Sequence, residues 1–268
     1  MKFFLSLQLV LLMVTVVANA QGSASNMDTL SLPADTPVFK FDNQLPPQKR
    51  SFPTRMLLVP GVLIAYGATS ISNEKLKHIN AEVKEELWTE RDHRKLQIDN
   101  YLQWAPAAAV YGLNAIGIKG RHNFRDRTII YGLSSVLTNS TVFATKKFSS
   151  QLRPDGSNKF SFPSGHTANA FAGAEFLRLE YKDVSPWYGI AGYAVAATTG
   201  YLRMYNNKHW LSDVVAGAGI GILSTDLAYY LYPTVKRIFV KDKEKKSATI
   251  AAPFYNQGVV GLSIVHQF

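Results

Sequence analysis

Stretches of apolar residues, separated by charged or proline-containing segments, dominate the chain beyond residue 53. Six of these stretches have the length and spacing expected of helices. They are Met56–Ser72, Tyr101–Ile118, Thr128–Lys147, Thr167–Glu180, Pro186–Arg203 and Asp213–Leu231. The pattern predicts an all-α fold, built as a six-helix bundle.

Two other segments have different patterns. Glu74–Leu96 is rich in charged residues, which favours an exposed amphipathic helix capped by Asn73. Beyond the basic tail that ends at Lys246, apolar residues alternate with others, and Asn256-Gln257-Gly258 supplies a turn. This alternation predicts a short C-terminal β-hairpin over 247–268. Its role is open between an edge hairpin packed on the bundle and an element that interacts with an outer membrane.

The N-terminus predicts export. Lys2 is followed by an apolar run, Phe3–Val17, and then by Ala18-Asn19-Ala20, which is the order of a secretory signal peptide. An uncleaved N-terminal membrane anchor is the alternative. The expected organisation is a signal peptide (1–20), a flexible leader rich in Ser, Asp, Pro and Gln (21–53), a helical domain (54–246) and the C-terminal hairpin.

Composition narrows the classes of function. The net charge of +10 fits anionic partners, but the basic residues are scattered between apolar segments and match no nucleic-acid module, so we expect no nucleic-acid partner. The absence of cysteine excludes a disulfide framework, a thiolate metal site and a cysteine nucleophile. Hydrophobic residues make up 47% of the chain, yet the mean hydropathy is −0.04, which lies between soluble helical proteins and membrane proteins.

A first group of candidate residues lies at the end of the third apolar segment. Lys146 is followed by Arg153 and Pro154. Lysine and arginine carry fixed positive charge, and arginine can hold two phosphate oxygens at once. Pro154 disfavours a continuing helix, so Arg153 can turn back towards Lys146. Ordinary surface basic residues would give the same spacing.

A second group opens the fourth segment. Ser161-Phe162-Pro163-Ser164-Gly165-His166-Thr167 has the residues typical of a helix start, where free backbone N–H groups and the helix dipole favour a bound phosphate. His166 would then lie in the first turn, close to a bound oxyanion. A plain helix N-cap formed by Ser164 is the alternative.

A third group comprises Arg203, His209 and Asp213. On a helix, residues four apart share a face, so the carboxylate of Asp213 could hold one ring nitrogen of His209 and leave the other as a nucleophile. A pair of satisfied residues on a helix surface is the alternative. A metal site formed with His166 is a further possibility, although no metal-binding motif accompanies these residues.

Together the three groups resemble one family. Lys146-x6-Arg153-Pro154, Pro163-Ser164-Gly165-His166 and Arg203-x5-His209-x3-Asp213 are similar, in type and order, to the three motifs of the type 2 phosphatidic acid phosphatase superfamily. That superfamily includes bacterial class A acid phosphatases and vanadium haloperoxidases. The resemblance covers roughly Tyr101 to Leu231. One departure is Leu202, where the family often has serine before the arginine of the third motif.

The resemblance implies a role for each motif residue. His209 would be the nucleophile that forms a phosphohistidine, Asp213 would orient it, and His166 would protonate the leaving group. The residues expected to hold the phosphate oxygens are Lys146, Arg153, Ser164, Gly165 and Arg203. Because the cations and the helix start supply the positive charge that phosphoryl transfer needs, no metal and no other cofactor is expected.

The implied activity is a metal-independent phosphatase acting on phosphomonoesters or diphosphates. Phosphorylated lipids such as phosphatidate, prenyl diphosphate or lipid A are the expected substrates, and a soluble nonspecific periplasmic acid phosphatase is the alternative. A non-catalytic, membrane-associated structural protein is a more distant alternative. A haloperoxidase would use the same residues for a different reaction and would require vanadate and peroxide.

The apolar segments bear on where the protein functions. They are short for membrane spans and are interrupted by polar residues such as Asn139-Ser140-Thr141, whereas a span needs about 20 apolar residues. We therefore expect an exported helical bundle attached to a membrane surface. The site would face the periplasm or the exterior.

Overall fold

The computed structural model describes residues 54–90, 94–239, 248–256 and 259–267, so the expected signal peptide and leader lie outside the described residues. The helices are α1 (Arg55–Ser70), α2 (Glu74–Lys84), α3 (Asp99–Leu102), α4 (Ala105–Ala115), α5 (Phe124–Ser149), α6 (Gly165–Tyr181), α7 (Pro186–Tyr205) and α8 (Leu211–Phe239). Strands β1 (Ala248–Asn256) and β2 (Val259–Gln267) follow, and they pair antiparallel with Ala248 opposite Gln267.

Helices α6 and α8 form the centre of the helical part. Helix α6 packs against α4, α5, α7 and α8, while α8 also packs against α1 and α5. The largest described core cluster lies between α4 and the second half of α6 and includes Val110, Phe176, Leu177 and Tyr181. The regular secondary structure of the described residues outside the two strands is therefore helical, as the sequence predicts.

The two central helices run parallel, and small residues let them approach closely. A Cβ added to Gly217 would lie 2.6 Å from the backbone oxygen of Ser164, and one added to Gly221 would lie 2.8 Å from the backbone nitrogen of Ala172. Both added atoms would meet backbone, which cannot move aside as a side chain can. Further along, the Thr225 hydroxyl donates to the carbonyl oxygen of Ala172 at 3.1 Å. This register places the N-termini of α6 and α8 at the same end of the bundle.

Side-chain caps mark where four of the described helices begin. Ser164 caps α6, Asn123 caps α5 and Ser185 caps α7, which starts with Pro186. Asn73 caps α2 by accepting from two backbone N–H groups. The predicted cap at Asn73 is confirmed, and Ser164 caps α6 as the alternative interpretation of that segment had it.

Three local features differ from the sequence predictions. The charged helix after Asn73 is shorter than predicted, since α2 ends at Lys84 and one π-helical turn follows to Thr89. The apolar segment predicted over Tyr101–Ile118 is divided between the short α3 and α4. His122 lies in a stretch rich in charged residues, which favours solvation, but its Nδ1 lies 2.7 Å from Glu180 Oε1.

One helix of the described part is long and apolar enough to cross a membrane. It is the stretch Leu211–Arg237 of α8, with a mean hydropathy of 1.4, and 61% of its most apolar window is buried inside the protein. The pair Met56–Ser70 and Glu74–Thr89 would pass the same test only as one span bent by 93°. The core helix of a soluble protein also passes this test, and α8 lies at the centre of the bundle, packed against α1, α5 and α6.

The close contact between α6 and α8 generates a stability prediction. We expect Gly221→Ala to lower the stability by about 1–3 kcal/mol, since the added methyl group meets backbone atoms of α6. Gly132→Ala in α5 is the matched control, because a Cβ there meets no atom within 4 Å. The control should be neutral or gain up to about 1 kcal/mol of helix propensity. Thermal unfolding followed by circular dichroism measures both, and equal melting temperatures would contradict the packing.

Candidate active site

Four chain segments meet at the end of the bundle where α6 and α8 begin. They are the end of α5 with the loop 150–164, the first turn of α6, the end of α7, and the loop 206–210 that leads into α8. Both central helices point their N-termini here, so their unpaired N–H groups and positive dipole ends favour an anion. The parallel register of α6 and α8 is therefore what gives this end of the bundle its electrostatic character.

The carboxylate of Asp213 connects these segments. It is fully buried, and its Oδ2 accepts a hydrogen bond from the Ser161 hydroxyl and another, at 2.9 Å, from the Trp210 backbone N–H. Its own backbone oxygen accepts from the Ser164 N–H at 3.0 Å. One residue in the first turn of α8 thereby holds both the loop before α6 and the start of α8.

His209 is oriented by this carboxylate, but not in the way the sequence suggested. Because α8 begins at Leu211, His209 precedes the helix, and the two residues do not share a helical face. The carboxylate instead reaches back towards the loop, so that His209 Nδ1 lies 3.4 Å from Asp213 Oδ2. This separation is an ion-pair distance and is longer than a good N–H···O hydrogen bond. With Nδ1 directed to the carboxylate, Nε2 is the ring nitrogen left for chemistry.

Burial sets the protonation state of His209, whose residue surface is only 3% exposed. Burial lowers the pKa of His209 to about 4, against the opposing effect of the Asp213 carboxylate. The imidazole is therefore neutral near neutral pH, which is the form in which a ring nitrogen can act as a nucleophile.

Three basic residues, Lys146, Arg153 and Arg203, belong to this end of the bundle. Lys146 Nζ donates to the backbone oxygens of Phe160 at 2.6 Å and Ser161 at 3.2 Å. Burial and then the charge of Arg153 lower the pKa of Lys146 to about 8. Burial and then the charge of Arg203 also lower the pKa of Arg153. The charge of Arg203 therefore acts on both Lys146 and Arg153.

Two of the cations have donors to spare. The Nε atoms of Arg153 and Arg203 are buried and have no hydrogen-bond partner within the described part of the chain. Burying such a donor without a partner costs roughly 1–3 kcal/mol, and the cost is higher when the group is charged. An anion with several oxygens would satisfy these donors, and a phosphate matches the forked geometry of arginine.

The first turn of α6 adds donors and a second histidine. The hydroxyl of Ser164 accepts from Thr167 Oγ1 at 2.8 Å and, more weakly, from the Thr167 N–H at 3.4 Å. Ser164 is thus a helix cap, and its own hydroxyl hydrogen is still available to a ligand. Gly165 begins the helix, where backbone N–H groups have no acceptor within the helix.

His166 lies one residue further along this turn. Its Nε2 lies 3.0 Å from Oδ1 of Asn100. Burial and then the positive charge of Arg203 lower the pKa of His166 to about 4. The protein therefore keeps this histidine neutral near neutral pH, unless a further negative charge is added beside it.

The sequence reasoning missed two residues of this site that lie in the short segment before α4. Asp99 is 1% exposed, and its Oδ2 lies 2.5 Å from Nη1 of Arg203, while its neighbour Asn100 holds His166. A polar pair at the start of an apolar segment was the only signal in the sequence, and it does not distinguish these residues from an ordinary helix cap.

The rim of the site contains an ion pair between two loops. Asp155 Oδ2 lies 2.6 Å from Lys208 Nζ, so the loop after α5 is tied to the loop before α8. Leu202, where the related motif often has serine, is buried and forms part of the apolar interior instead. As far as the structure describes the chain, no group of three or more His, Cys, Asp or Glu side chains could hold a metal ion.

Part of the chain is similar to known proteins. Residues 127–237 match the sequence model of the PAP2 superfamily. Lipid A 1-phosphatase from Porphyromonas gingivalis is 39% identical over 161 residues, which are 60% of this chain and 36% of that protein. Lipid A 4'-phosphatase from Bacteroides thetaiotaomicron is 39% identical over 72 residues, which are 27% of this chain and 31% of that protein. The chain therefore spans about a third of the length of the curated relatives it matches.

Two solved structures are also similar. The crystal structure of Aquifex aeolicus LpxE has a TM-score of 0.44 and 24% identity, covering 57% of this chain and 95% of that one. The crystal structure of a transmembrane PAP2 type phosphatidylglycerolphosphate phosphatase from Bacillus subtilis has a TM-score of 0.48 and 20% identity, covering 69% and 99%. All three motifs that converge on His209 fall within the residues 127–237 that match the PAP2 superfamily model.

Proposed function

We propose that this protein is a metal-independent phosphatase that removes phosphate from a lipid through a phosphohistidine on His209. The observation that carries the proposal is the convergence of three cations and two helix N-termini on a neutral histidine backed by a carboxylate. Phosphoryl transfer needs the nucleophile in line and the equatorial oxygens neutralised, and this arrangement supplies both.

In the first step, Nε2 of His209 attacks phosphorus as the ester P–O bond breaks. Lys146, Arg153 and Arg203 hold the equatorial oxygens, helped by the Ser164 hydroxyl and the Gly165 N–H. The leaving oxygen takes a proton from His166. Asp213 stabilises the positive charge that develops on His209, because its carboxylate faces Nδ1.

In the second step, water attacks the phosphohistidine and gives its proton to His166, while the N–P bond breaks and inorganic phosphate leaves. His166 must be protonated at the first step and neutral at the second. Its pKa is about 4 because of burial and Arg203. A phosphate dianion next to it opposes the effect of Arg203 and raises this pKa, so that substrate binding itself prepares the acid.

Lipid substrates are favoured by the surface around the site and by the two curated relatives, whose names describe lipid A phosphatases. Exposed apolar side chains flank the phosphate-binding loop: Phe148 is 89% exposed, Leu152 52% and Phe160 51%. Such side chains beside a cationic pocket suit a phosphate group that protrudes from an apolar layer. A soluble nonspecific acid phosphatase is the alternative, and a non-catalytic structural protein is a more distant one.

The same features motivate the expected location. An exported protein with the helical domain at 54–246 attached to a membrane surface would face its lipid from the periplasm or exterior. The roles of the signal peptide at 1–20, the leader at 21–53 and the hairpin at 247–268 stay predictions from the sequence.

Binding of inorganic phosphate tests the pocket before any chemistry. We expect phosphate to raise the melting temperature, with a stabilisation of about 2.7 kcal/mol at 100 times its Kd. Arg153→Ala should weaken this effect at least tenfold in phosphate concentration, because it removes a buried donor. Arg125→Ala, an exposed arginine near the start of α5, is the matched control and should respond like the parent. A parent protein that phosphate does not stabilise would contradict the pocket.

The nucleophile is tested by His209→Ala. We expect the rate of phosphate release to fall by a factor on the order of 10⁴ or more, and a phosphoprotein trapped by acid quenching of the parent to be lost. His78→Ala is the control, since the side chain of His78 is 73% exposed. EDTA should leave the parent rate unchanged. A folded His209→Ala variant that keeps its activity would overturn the nucleophile, and strong inhibition by EDTA would favour a metal site.

Substrate class is tested with lipid phosphates in mixed micelles beside p-nitrophenyl phosphate. We expect a higher kcat/KM for the lipids and a rate that rises with their surface fraction. The double variant Phe148→Ser, Leu152→Ser should lose at least tenfold on lipids and little on the soluble ester, because full burial of one such side chain is worth roughly 1.5–3 kcal/mol. Val184→Ser, at the other end of α6, is the control. Equal loss on both substrates would favour the soluble acid phosphatase.

A further inference from the structure

The short segment Leu96–Gln103 lies against the site and is fastened from two sides. On one side, the side chain of Asn206 bonds twice to Leu96, donating to its carbonyl oxygen at 2.6 Å and accepting from its N–H at 2.8 Å. On the other side, Gln103 Oε1 accepts from Asn169 Nδ2 at 3.2 Å, one turn of α6 beyond His166. The segment is therefore a brace between the end of α7 and the start of α6.

Adjacent residues of this brace contact two different parts of the proposed machinery. The buried carboxylate of Asp99 pairs with Arg203, and Asn100 Oδ1 lies 3.0 Å from Nε2 of His166. The backbone of Asn100 is itself held, since its N–H donates to Gln97 O at 3.2 Å and its carbonyl oxygen accepts from Gln103 Nε2 at 2.9 Å. Asn100 therefore presents its amide to the histidine from a fixed backbone.

The chemistry of the amide determines what this contact does. An amide oxygen accepts hydrogen bonds and does not take up a proton, so a histidine nitrogen facing it must carry hydrogen in both the neutral and the charged ring. Nε2 is then permanently an N–H, and the proton that His166 gains and loses must be on Nδ1. The contact thus assigns separate tasks to the two nitrogens of one ring.

We propose, resting on the function proposed above, that Asn100 is a positioning residue that holds His166 in the Nε2–H tautomer, so that Nδ1 delivers the proton to the leaving group. In the first step the Nδ1–H bond breaks as the oxygen–hydrogen bond of the leaving group forms, and the phosphoryl group moves to His209. In the second step water returns a proton to Nδ1. Nε2 keeps its hydrogen bond to Asn100 throughout.

The charges that face His166 explain why a neutral acceptor is suited to this place. Arg203, Arg153 and Lys146 act to lower the pKa of the ring, and Asp99 acts to raise it. A carboxylate in place of Asn100 would hold the ring protonated, and the second step needs it neutral. An amide orients the ring and leaves its titration to the arriving phosphate.

The test compares Asn100→Asp and Asn100→Leu with the parent, using histidine labelled with ¹³C and ¹⁵N and the His166 signals assigned from His166→Gln. In the parent, the ¹⁵N shifts of the neutral ring should identify the Nε2–H tautomer. In Asn100→Asp, the added negative charge stabilises the imidazolium, so the pKa of His166 should rise by about 1–3 units. The alkaline limb of kcat/KM on lipid phosphate should move to higher pH by the same amount. Asn139→Asp, an exposed asparagine of α5 that bonds only to its own helix, is the charge-matched control and should change neither value.

Asn100→Leu has nearly the same shape as the parent but no acceptor. We expect kcat to fall by about 10–100-fold with KM nearly unchanged, and the neutral ring of His166 to become a mixture of tautomers. An Nδ1–H tautomer in the parent, or an unchanged His166 pKa in Asn100→Asp, would overturn the inference whether or not the protein is active. A pKa that moves without any movement of the rate profile would instead count against His166 as the acid, and so against the proposed function.

Discussion

The arrangement of the site depends on one buried carboxylate. Asp213 has no exposed surface, yet it accepts from Ser161 and from the Trp210 N–H, faces Nδ1 of His209, and holds the Ser164 N–H through its backbone. A carboxylate placed in the first turn of a helix is stabilised by the helix dipole, which offsets part of the cost of its burial. Loss of this group would release the loop before α6, the loop before α8 and His209 together.

The charges around this carboxylate are arranged for an anion. Three cations (Lys146, Arg153, Arg203) are opposed by two carboxylates (Asp99, Asp213), so one positive charge is left over before the two helix ends are counted. Burial has already lowered the pKa values of both His166 and His209 to about 4, which shows how strongly this environment resists further positive charge. A bound phosphate dianion would balance the excess positive charge of this environment, and its negative charge would raise the pKa of His166.

Packing at a distance makes this field possible. The close approach of Gly217 and Gly221 to α6 allows two parallel helices to begin at the same end of the bundle. Helix α7, which connects them along the chain, packs on α6 and brings Arg203 to that end. The brace Leu96–Gln103 then fixes Arg203 and His166 relative to each other through Asp99 and Asn100. Helix packing therefore sets the distance between Arg203 and His166, while the loops 150–164 and 206–210 place Arg153 and His209.

The sequence by itself determined the helical class and the residue types of the site. Apolar stretches of helical length and the caps at Asn73 and Ser164 are local features, because each depends on residues within one or two turns. The three motifs could be recognised for the same reason: each is a short run whose spacing is set by one loop or one helix start. Their types are compatible with phosphate chemistry, since lysine, arginine and a helix N-terminus all favour the same ligand, and the resemblance to one family joined the three groups.

Only the tertiary structure decided how these residues meet. The pairing of His209 with Asp213 looked like a helical i, i+4 contact, but it is a helix-start carboxylate reaching back to a loop. Asp99 and Asn100 lie more than sixty residues from their partners, and His122 is held by Glu180, which lies far from it in the sequence. No local pattern encodes such contacts, because they follow from which helix faces are apolar enough to pack together. Residue types and local spacing can therefore be read from the sequence, whereas the partners of each buried polar group depend on how the helices pack.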